Sequence, residues 1–255
     1  MHIAAGLSPL AGQVDLRIVS VTGSTNADLL VEVPRLARPT LLAAEEQTAG
    51  RGRAGRDWIS APGAALTFSL AWRFEQPMHA LVGLPIAVGV AIADALESFG
   101  VPARLKWPND VLLDGGKLAG ILIETAAQSR DSSWAVIGIG LNLALDDALR
   151  ARIGQGAAQL PQAGIGRNRL LAALLNRLAE AMHGFGQHGL HPVVERWNAL
   201  HAHGGQEVVI LDQGRVVHEG RAAGIDWIGR LLIDTPAGRV AVMAGDVSLR
   251  RKDIP

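Results

Sequence analysis

Cysteine is absent from the 255 residues, and only three of the 24 lysine and arginine side chains are lysines. The lack of cysteine excludes disulfides, thiolate catalysis and cysteine-ligated zinc. The formal net charge is zero, so no global field would steer nucleic acids or membranes to the protein. The N-terminus lacks the basic region of a signal peptide, and the most apolar window, 81–95, is too short to span a bilayer. We therefore predict a soluble, cytoplasmic protein that does not associate with membranes.

Two of the three lysines lie close together, in segments rich in glycine, proline and asparagine. Lys106 opens Lys-Trp-Pro-Asn-Asp, and Lys117 lies within Asp-Gly-Gly-Lys-Leu-Ala-Gly. An ammonium is a compact point charge, whereas a guanidinium is a flat fork, so a lysine suits a single carboxylate or phosphate oxygen. Chance placement is the alternative explanation. The third lysine, Lys252, is predicted to have no part in a site.

Apolar periodicity predicts strands and helices before residue 204 and strands alone after it. The predicted strands cover 14–21, 40–44, 65–74, 104–107, 111–113, 118–126 and 134–143, and the predicted helices begin near Ser24 or cover 78–99, 170–182 and 192–200. Short β-branched runs separated by glycine turns then predict a small β-barrel. Its basic and acidic side chains cancel, which argues against a nucleic-acid platform. We predict two domains, 1–204 and 205–255.

The densest functional signal is the loop Gly50-Arg-Gly-Arg-Ala-Gly-Arg-Asp-Trp, residues 50–58. Its glycines allow close approach of the backbone to a ligand, and its arginines supply forked donors for carboxylate or phosphate oxygens. It matches neither a Walker A loop nor a dinucleotide fingerprint. Its composition predicts a mobile loop that an anionic ligand would order. A flexible basic surface loop, or an RNA-binding patch in which Trp58 stacks on a base, is the alternative.

Other polar residues complete a candidate anion site. The helix start at Ser24-Thr-Asn and the side chain of Gln47 offer hydrogen bonds, while Asn109 and Asp110 occupy a predicted turn. An aspartate there suits Mg²⁺ or an incoming amine, although ordinary turn chemistry is the simpler interpretation. Five histidines between 183 and 203 lack acidic partners at ligand spacing, so we predict solvated helix ends rather than a metal site.

Five strings occur together and in order: Ser24-Thr-Asn, Gln47-Thr-Ala-Gly-Arg-Gly-Arg-Ala-Gly-Arg-Asp-Trp, Lys106-Trp-Pro-Asn-Asp, Gly116-Lys-Leu-Ala-Gly-Ile-Leu-Ile-Glu and Gly138-Ile-Gly-Leu-Asn. As a set they closely resemble the biotin–protein ligases (biotin–[acetyl-CoA-carboxylase] ligases) over about residues 15–200. The tail ending Gly245-Asp-Val-Ser-Leu-Arg resembles that family's C-terminal domain. The resemblance implies an α+β fold: a class II aminoacyl-tRNA-synthetase-like (biotin–lipoate ligase) catalytic domain with a mixed sheet and flanking helices, followed by an SH3-like β-barrel.

The resemblance also implies a two-step reaction with biotin, ATP and Mg²⁺. The carboxylate of biotin attacks the α-phosphorus of MgATP, which gives biotinyl-5′-AMP and releases pyrophosphate. The amine of one lysine on the biotin carboxyl carrier protein of acetyl-CoA carboxylase then attacks the acyl-adenylate and releases AMP. No metal ligand is assigned, because the phosphates are expected to hold most of the Mg²⁺ coordination.

Roles for individual positions follow from the same resemblance. It implies catalytic roles for Lys117, Arg53, Lys106 and Asp110, the last assisting the acceptor amine. It implies that biotin is bound by Ser24, Thr25, Asn26, Gln47, Arg51, Gly52, Arg53 and Lys117. It implies that ATP and the adenylate are bound by Arg51, Arg53, Arg56, Trp58, Lys106, Lys117 and Asn142. On its own, a polar residue at a strand end such as Asn142 is more typical of a turn cap.

Some members of that family carry an N-terminal helix-turn-helix domain that represses biotin-synthesis genes. The first catalytic strand is predicted to begin near Val14, which leaves no room for such a domain, so we expect no DNA partner and a ligase of the monofunctional type. A lipoate–protein ligase or acyltransferase on the same scaffold is the nearest alternative, and a non-catalytic RNA-binding module is a more distant one. The oligomeric state is left as monomer or homodimer.

Overall fold

The computed structural model of the chain describes residues 3–154, 156–161, 164–245 and 247–252. Seven strands form one mixed sheet: β1 Asp15–Thr22, β2 Thr40–Gln47, β3 Ala65–Phe74, β4 Arg104–Lys106, β5 Asp110–Leu113, β6 Gly116–Ala127 and β7 Ser133–Asn142. Their order across the sheet is β1-β2-β3-β7-β6-β5-β4. The β1–β2 pair is parallel and the other pairs are antiparallel. The predicted mixed sheet is confirmed.

Five α-helices accompany this sheet: α1 Thr25–Glu32, α2 Leu84–Glu97, α3 Asp147–Ile153, α4 Arg167–His188 and α5 Val194–Leu200. Ser24 begins α1 as predicted, because its hydroxyl accepts a hydrogen bond from the amide of Ala27. The sequence did not predict α3, a short helix that Asp146 caps through the amide of Leu149. A helix of seven residues makes only about two turns, so too few of its positions repeat for apolar periodicity to reveal it.

The predicted helix 78–99 is in fact two pieces, a 3-10 helix Met78–Leu81 and then α2. Pro85 lies in the first turn of α2, where the missing N–H has no helical partner in any case, so it starts a new helix. The stretch Met78–Glu97 is long and apolar enough to cross a membrane, but 72% of its most apolar window is buried inside the protein. That burial is typical of a core helix.

Five further strands form a second, antiparallel sheet: β8 Glu207–Asp212, β9 Arg215–Ile225, β10 Leu231–Thr235, β11 Gly238–Val242 and β12 Val247–Arg251. Their order is β11-β10-β9-β8-β12. Register shifts interrupt the β8–β9 and β9–β10 pairs, and such bulges increase the bend of a small sheet. The small all-β unit expected after residue 204 is therefore present.

One hydrophobic cluster joins the two sheets. Buried side chains of the five-stranded sheet, such as Val208 and Leu231, belong to the same cluster as Leu84 and Trp107. Trp107 is 1% exposed, and burying an indole of this size contributes about 4 to 6 kcal/mol of transfer free energy before entropy is subtracted. The five-stranded sheet is consequently packed against the rest of the molecule.

Candidate active site

A cavity of about 980 Å³ opens where the start of α1, the 50–58 loop, the 106–110 turn, β6, β7 and β12 come together. This volume lies at the upper end of the range for small-molecule sites. Its walls include every residue for which the sequence predicted a role: Ser24, Thr25, Asn26, Gln47, Arg51, Gly52, Arg53, Arg56, Trp58, Lys106, Asp110, Lys117 and Asn142. The fold thus gathers in one place residues that are spread over more than a hundred positions.

One side of the cavity is an uncharged set of hydrogen-bonding residues, here called the neutral half: Ser24, Thr25, Asn26, Gln47 and Ser69. Thr25 donates its backbone amide to Gln47 Oε1 over 2.8 Å, and its hydroxyl lies 2.7 Å from the hydroxyl of Ser69. Ser69 donates to Asn26 Oδ1 over 2.6 Å. Asn26 in turn donates to Glu124 Oε2 over 2.8 Å. These contacts fix the side chains before any ligand arrives.

Sheet register explains why the neutral half forms. Parallel pairing places Gln47 opposite Thr22, just before the start of α1, and antiparallel pairing places Ser69 opposite Gly138. A Cβ atom on Gly138 would lie 2.4 Å from Asn26 Oδ1, so only glycine leaves room for that amide. Sequence reasoning missed Ser69. A signal was available, because Ser69 is a polar residue between Phe68 and Leu70 in the middle of a strand, and it is fully buried.

Five cationic side chains also line the cavity and are here called the cationic half: Arg51, Arg53, Arg56, Lys106 and Lys117. Three of them lie on the 50–58 loop, which folds as a hairpin. Arg51 pairs with Asp57 in an antiparallel bridge, and the amide of Gly52 donates to the carbonyl of Arg56 over 2.6 Å. Arg51 and Arg56 remain exposed at the mouth of the cavity. The predicted ordering of this loop by a ligand stays a prediction.

Trp58 closes the hairpin and lays its indole flat on β6 and β7. Cβ atoms on Gly140 and Gly120 would lie 2.2 Å and 3.2 Å from its ring, so these glycines form a floor for a planar group. Lys117 Nζ lies 5.9 Å from the ring centroid, within range of a cation–π interaction. The indole N–H is buried without a hydrogen-bond partner among the described residues. An acceptor on a bound ligand would satisfy it.

The two lysines of the cationic half have different surroundings. Lys117 Nζ lies 2.6 Å from Asp110 Oδ1, a contact that is ionic rather than an aligned hydrogen bond. Burial lowers the pKa of Lys106, and the neighbouring charges of Arg250, Lys117 and Arg56 lower it further, while Asp110 opposes the shift. An added anion would therefore relieve repulsion among these cations.

The side-chain amide of Asn142 donates its hydrogen bonds to backbone carbonyls of the protein. Its Nδ2 donates to the carbonyls of Lys117 and Ala158, over 3.2 Å and 2.9 Å. The segment that contains Ala158 also binds the backbone of Lys117 on both its amide and its carbonyl. Asn142 therefore fixes the position of Lys117, which is closer to the turn-cap interpretation, and its contact with adenine stays a prediction.

Asn109 has a larger role than the turn chemistry expected from sequence. Its Oδ1 accepts from Arg53 Nη1 over 2.8 Å, and its Nδ2 donates to the carbonyl of Ile121 over 2.7 Å. The peptide bond between Trp107 and Pro108 just before it is cis. Asn109 thus connects the hairpin to β6, and sequence reasoning missed this because the partner is 56 positions away.

The five-stranded sheet also reaches the cavity, which sequence reasoning did not predict. Arg250, Arg251 and Lys252 line it, together with His203 from the segment before β8. The expectation that Lys252 lies apart from the site is wrong in position, although the residue forms an ion pair with Glu219 at 2.6 Å. Only the packing of one sheet on the other brings these residues near Lys106.

The expectation that the histidines are solvated helix ends is wrong for His201. It is 8% exposed and stacks on Trp197 with a ring-centroid distance of 4.6 Å. Burial, and then the nearby ring of His203, lower the pKa of His201 to about 4. Among the described residues no three His, Cys, Asp or Glu side chains form a group that could hold a metal.

Two family models match the chain in succession. The Biotin/lipoate A/B protein ligase family matches residues 18–142, and the Biotin protein ligase C terminal domain matches residues 203–250. The first match contains all of the predicted site residues. The second covers the five-stranded sheet except Arg251, the last residue of β12.

Individual proteins give the same result. The chain is 37% identical to the bifunctional ligase/repressor BirA of Escherichia coli over 247 residues, which cover 94% of this chain and 77% of that protein. It is 36% identical to the biotin–[acetyl-CoA-carboxylase] ligase of Paracoccus denitrificans, over 89% of this chain and 97% of that one. A solved structure of the biotin protein ligase from Aquifex aeolicus in complex with biotin and ATP superposes with a TM-score of 0.79. That structure is 30% identical, over 93% of this chain and 99% of the other.

Proposed function

This chain belongs to the biotin protein ligase family, and from that premise we propose how its own residues divide the reaction. The protein is an ATP-dependent ligase that activates biotin and transfers it to a carboxylase carrier protein. The observation that carries the division of roles is the cavity itself, since the neutral half and the cationic half line one space. A neutral urea-like ring with a carboxylate tail fits the first, and a polyphosphate fits the second.

The neutral half holds biotin. Ser24, Thr25, Asn26 and Gln47 present donors and acceptors to the ureido group, and Ser69 keeps Thr25 and Asn26 in place. Buried polar groups of this kind discriminate well, because a ligand that lacks a matching partner leaves them unsatisfied. Arg51, Gly52 and Arg53 cover the bound molecule from the hairpin side.

The cationic half carries the first chemical step. The carboxylate of biotin attacks the α-phosphorus of ATP, a P–O bond to pyrophosphate breaks, and negative charge moves onto the leaving group. Lys117 lies between the two halves and meets the carboxylate and the α-phosphate, while Lys106, Arg53 and Arg56 bind phosphate oxygens. Fixed charges aimed at the place where charge develops are the largest single source of such rate enhancement. Trp58 and Asn142 form the adenine side.

Asp110 serves the second step. In the structure its carboxylate lies 2.6 Å from the ammonium of Lys117. When Lys117 turns to the acyl phosphate, the Asp110 carboxylate becomes available to accept a proton from the incoming lysine amine. The amine attacks the acyl carbon, an amide forms and AMP leaves. The hairpin excludes water from this intermediate, which would otherwise hydrolyse.

Mg²⁺ enters with ATP. Among the described residues the carboxylates that line the cavity are those of Asp57 and Asp110, and Asp110 is paired with Lys117. An ion held mainly by phosphate oxygens and water fits such a donor set, since Mg²⁺ in nucleotide sites needs only one or two protein ligands. When bound, it neutralises part of the phosphate charge.

Three finer assignments also belong to this proposal: the carrier protein, the compartment and the domain boundary. The carrier is the biotin carboxyl carrier protein of acetyl-CoA carboxylase, and the enzyme acts in the cytoplasm. The catalytic domain covers residues 1–204 and the small β domain 205–255, a boundary supported by the start of the second family match at residue 203.

The direct test is mass spectrometry of a carrier domain incubated with this protein, biotin and MgATP. We expect one biotinyl addition at one lysine, and none when ATP is left out. Isothermal titration in the presence of a non-hydrolysable ATP analogue separates the alternatives: binding of lipoate without binding of biotin would overturn the assignment. An RNA-binding module would instead bind oligonucleotides with a steep dependence on salt.

A further inference from the structure

Two loops of the five-stranded sheet accept hydrogen bonds from Arg53, in the cationic half, and from Trp107, the neighbour of Lys106. The carbonyl of Gly229, in the β9–β10 turn, accepts a hydrogen bond from Trp107 Nε1 over 3.1 Å. The carbonyl of Gly245, just before β12, accepts from Arg53 Nη2. Both donors belong to the part of the chain that forms the seven-stranded sheet. Both acceptors are backbone atoms, so they depend on the shape of their loops and not on a side chain.

The two contacts converge on Asn109. Arg53 uses its other terminal nitrogen to donate to Asn109 Oδ1, and Trp107 lies two residues before Asn109 in the same turn. Trp107 is fully buried, and its N–H is its single polar group, so the hydrogen bond to Gly229 fixes the depth and the rotation of the indole. Lys106 and Asp110 flank this turn. A shift of Trp107 would therefore move residues on both sides of the phosphate site.

The turn that carries Gly229 is built to be rigid. Asp226 Oδ1 accepts from the amides of Ile228 and Arg230, over 3.1 Å and 2.9 Å, and Asp226 Oδ2 accepts from Arg230 Nε over 2.6 Å. Gly229 has a φ of 89°, in the left-handed region that favours glycine. A Cβ atom there would lie 3.3 Å from Ile86 of α2, so the turn is pressed against the core.

The neutral half has no such dependence. Its hydrogen bonds, from Gln47 through Thr25, Ser69 and Asn26 to Glu124, run entirely within the seven-stranded sheet and the start of α1. The five-stranded sheet contributes no residue to that network among the described residues. A change in the Asp226 turn should therefore reach the phosphates and leave intact the neutral-half hydrogen bonds, which hold the residues proposed to bind the ureido group.

We propose that the Asp226–Arg230 turn is a positioning device for the adenylation step, and that Asp226 and Trp107 are its positioning residues. Asp226 fixes the turn through its hydrogen bonds, and the carbonyl of Gly229 fixes the indole of Trp107. Trp107 in turn fixes its neighbours Lys106 and Asn109 in position relative to Arg53. This deepens the proposed function and rests on it. The small β domain then acts on the first chemical step, in addition to any contact with a carrier protein.

The test compares two Asp–Arg pairs of the same small sheet. Asp226→Ala removes the turn's acceptors, while Asp234→Ala removes an exposed pair with Arg239 in the β10–β11 hairpin, away from the cavity. Biotin-dependent exchange of labelled pyrophosphate into ATP gives kcat and the KM for ATP, and calorimetry gives the Kd for biotin alone. For Asp226→Ala we expect kcat/KM for ATP to fall on the order of tenfold to a hundredfold, with the biotin Kd within about twofold. Asp234→Ala should leave both unchanged.

Two more variants supply a rescue control and an independent test of the same contact. Asp226→Asn keeps a carbonyl oxygen for the two backbone amides, so it should recover most of the exchange rate. Trp107→Phe removes the indole N–H while keeping an aromatic ring, so it should show the same split between ATP and biotin. It also serves as the test if Asp226→Ala does not fold.

The outcomes separate the two proposals. If the wild type shows no biotin-dependent exchange, the proposed function fails. If the wild type exchanges and both Asp226→Ala and Trp107→Phe match it, only the positioning role fails. A parallel loss of biotin binding and of exchange in these variants would also overturn that role, because it would indicate general damage to the fold.

Discussion

The neutral half and the cationic half of the cavity are organised in opposite ways. Four of the five residues of the neutral half are buried, and its side chains hydrogen-bond to one another, so its geometry is set during folding. The cationic half places Arg51 and Arg56 on an exposed hairpin, and its Lys117 forms a short ion pair with Asp110. Ordering a long side chain on binding costs about 0.5 to 1.5 kcal/mol. The cationic half therefore bears that cost when its ligand arrives, and the neutral half does not.

The difference follows from what each ligand offers. A neutral ring system gains most from donors and acceptors that are already in place, because neutral hydrogen bonds gain little net free energy over water. A polyphosphate brings enough charge to organise flexible cations around it. Burial lowers the pKa of Lys106, and repulsion from Arg250, Lys117 and Arg56 lowers it further, as expected of a site that binds an anion.

The largest effect is expected at Lys117, where the two halves meet. Lys117→Arg should lower the rate of adenylate formation on the order of a hundredfold to a thousandfold, because a planar fork cannot replace a point charge between the carboxylate and the phosphate. Pyrophosphate release measures this, and calorimetry checks that biotin still binds. Arg177→Lys, an exposed change on α4, is the control. Near-normal release from Lys117→Arg would refute the role.

A methyl group added in the neutral half should weaken the binding of biotin. Gly138→Ala places a Cβ atom 2.4 Å from Asn26 Oδ1, so Asn26 has to move. We expect the Kd for biotin to rise on the order of tenfold to a hundredfold, since several hydrogen bonds depend on that amide. Gly184→Ala, at an uncrowded position in α4, should bind biotin normally. Equal affinities for the two variants would show that the neutral half is not preformed.

Protection of the 50–58 hairpin from trypsin by ligands tests whether the cationic half becomes ordered on binding. Trypsin should cut after Arg51, Arg53 or Arg56 several-fold more slowly once biotin and ATP are present, because exposed loops are cleaved through local opening. Cleavage after Arg130, in the exposed turn between β6 and β7, provides the internal reference. Quantitative mass spectrometry of the fragments measures both. Unchanged cleavage in the hairpin would count against ordering by the ligand.

The smallest effect concerns a neutral group beside the cationic half. His201 has a pKa of about 4 in the folded protein against about 6.5 when unfolded, so the unfolded chain takes up its proton first on acidification. Stability should therefore fall as the pH drops from about 6.5 to 4, by at most about 3 kcal/mol from this residue. His201→Phe keeps the stacking on Trp197 and should flatten that pH dependence.

Neither ring nitrogen of His201 has a hydrogen-bond partner among the described residues, so the phenyl ring leaves no group unsatisfied. At pH 8 the free energy of unfolding of His201→Phe should equal that of the wild type to within about 1 kcal/mol. Urea denaturation at several pH values gives both results. Because the pKa of His203 is also lowered by burial, some pH dependence should remain in the variant. An unchanged slope would show that His201 does not titrate in this window.

Sequence reasoning located strands and helices well where periodicity was long. β3 was predicted with its observed limits, and the Ser24 cap of α1 was found from its hydroxyl and the apolar run that follows. It failed on α3, which is too short for a periodic pattern, and on the break before α2, where a continuous apolar run concealed a new helix start at Pro85. Apolar periodicity and capping residues therefore predict long elements well, whereas short elements contain too few residues to show them.

The candidate site shows the same difference between residues that the sequence marks and residues that it does not. Residues in dense motifs, such as Arg53, Lys106 and Lys117, were found because glycine, proline and rare lysines mark them along the chain. Ser69 was missed and His203 was predicted to be solvated, because each becomes part of the cavity only through its neighbours in space.

The sequence by itself determined the chemistry of this protein: which cations it has, which loop can approach an anion, and which family its motifs resemble. Tertiary structure alone decided how those groups are held. Strand register sets Ser69 against Asn26, and the packing of the second sheet sets Gly229 against Trp107. The physical reason is that residue type fixes charge and hydrogen-bonding capacity, whereas the distances that make them useful depend on contacts between segments far apart in the chain.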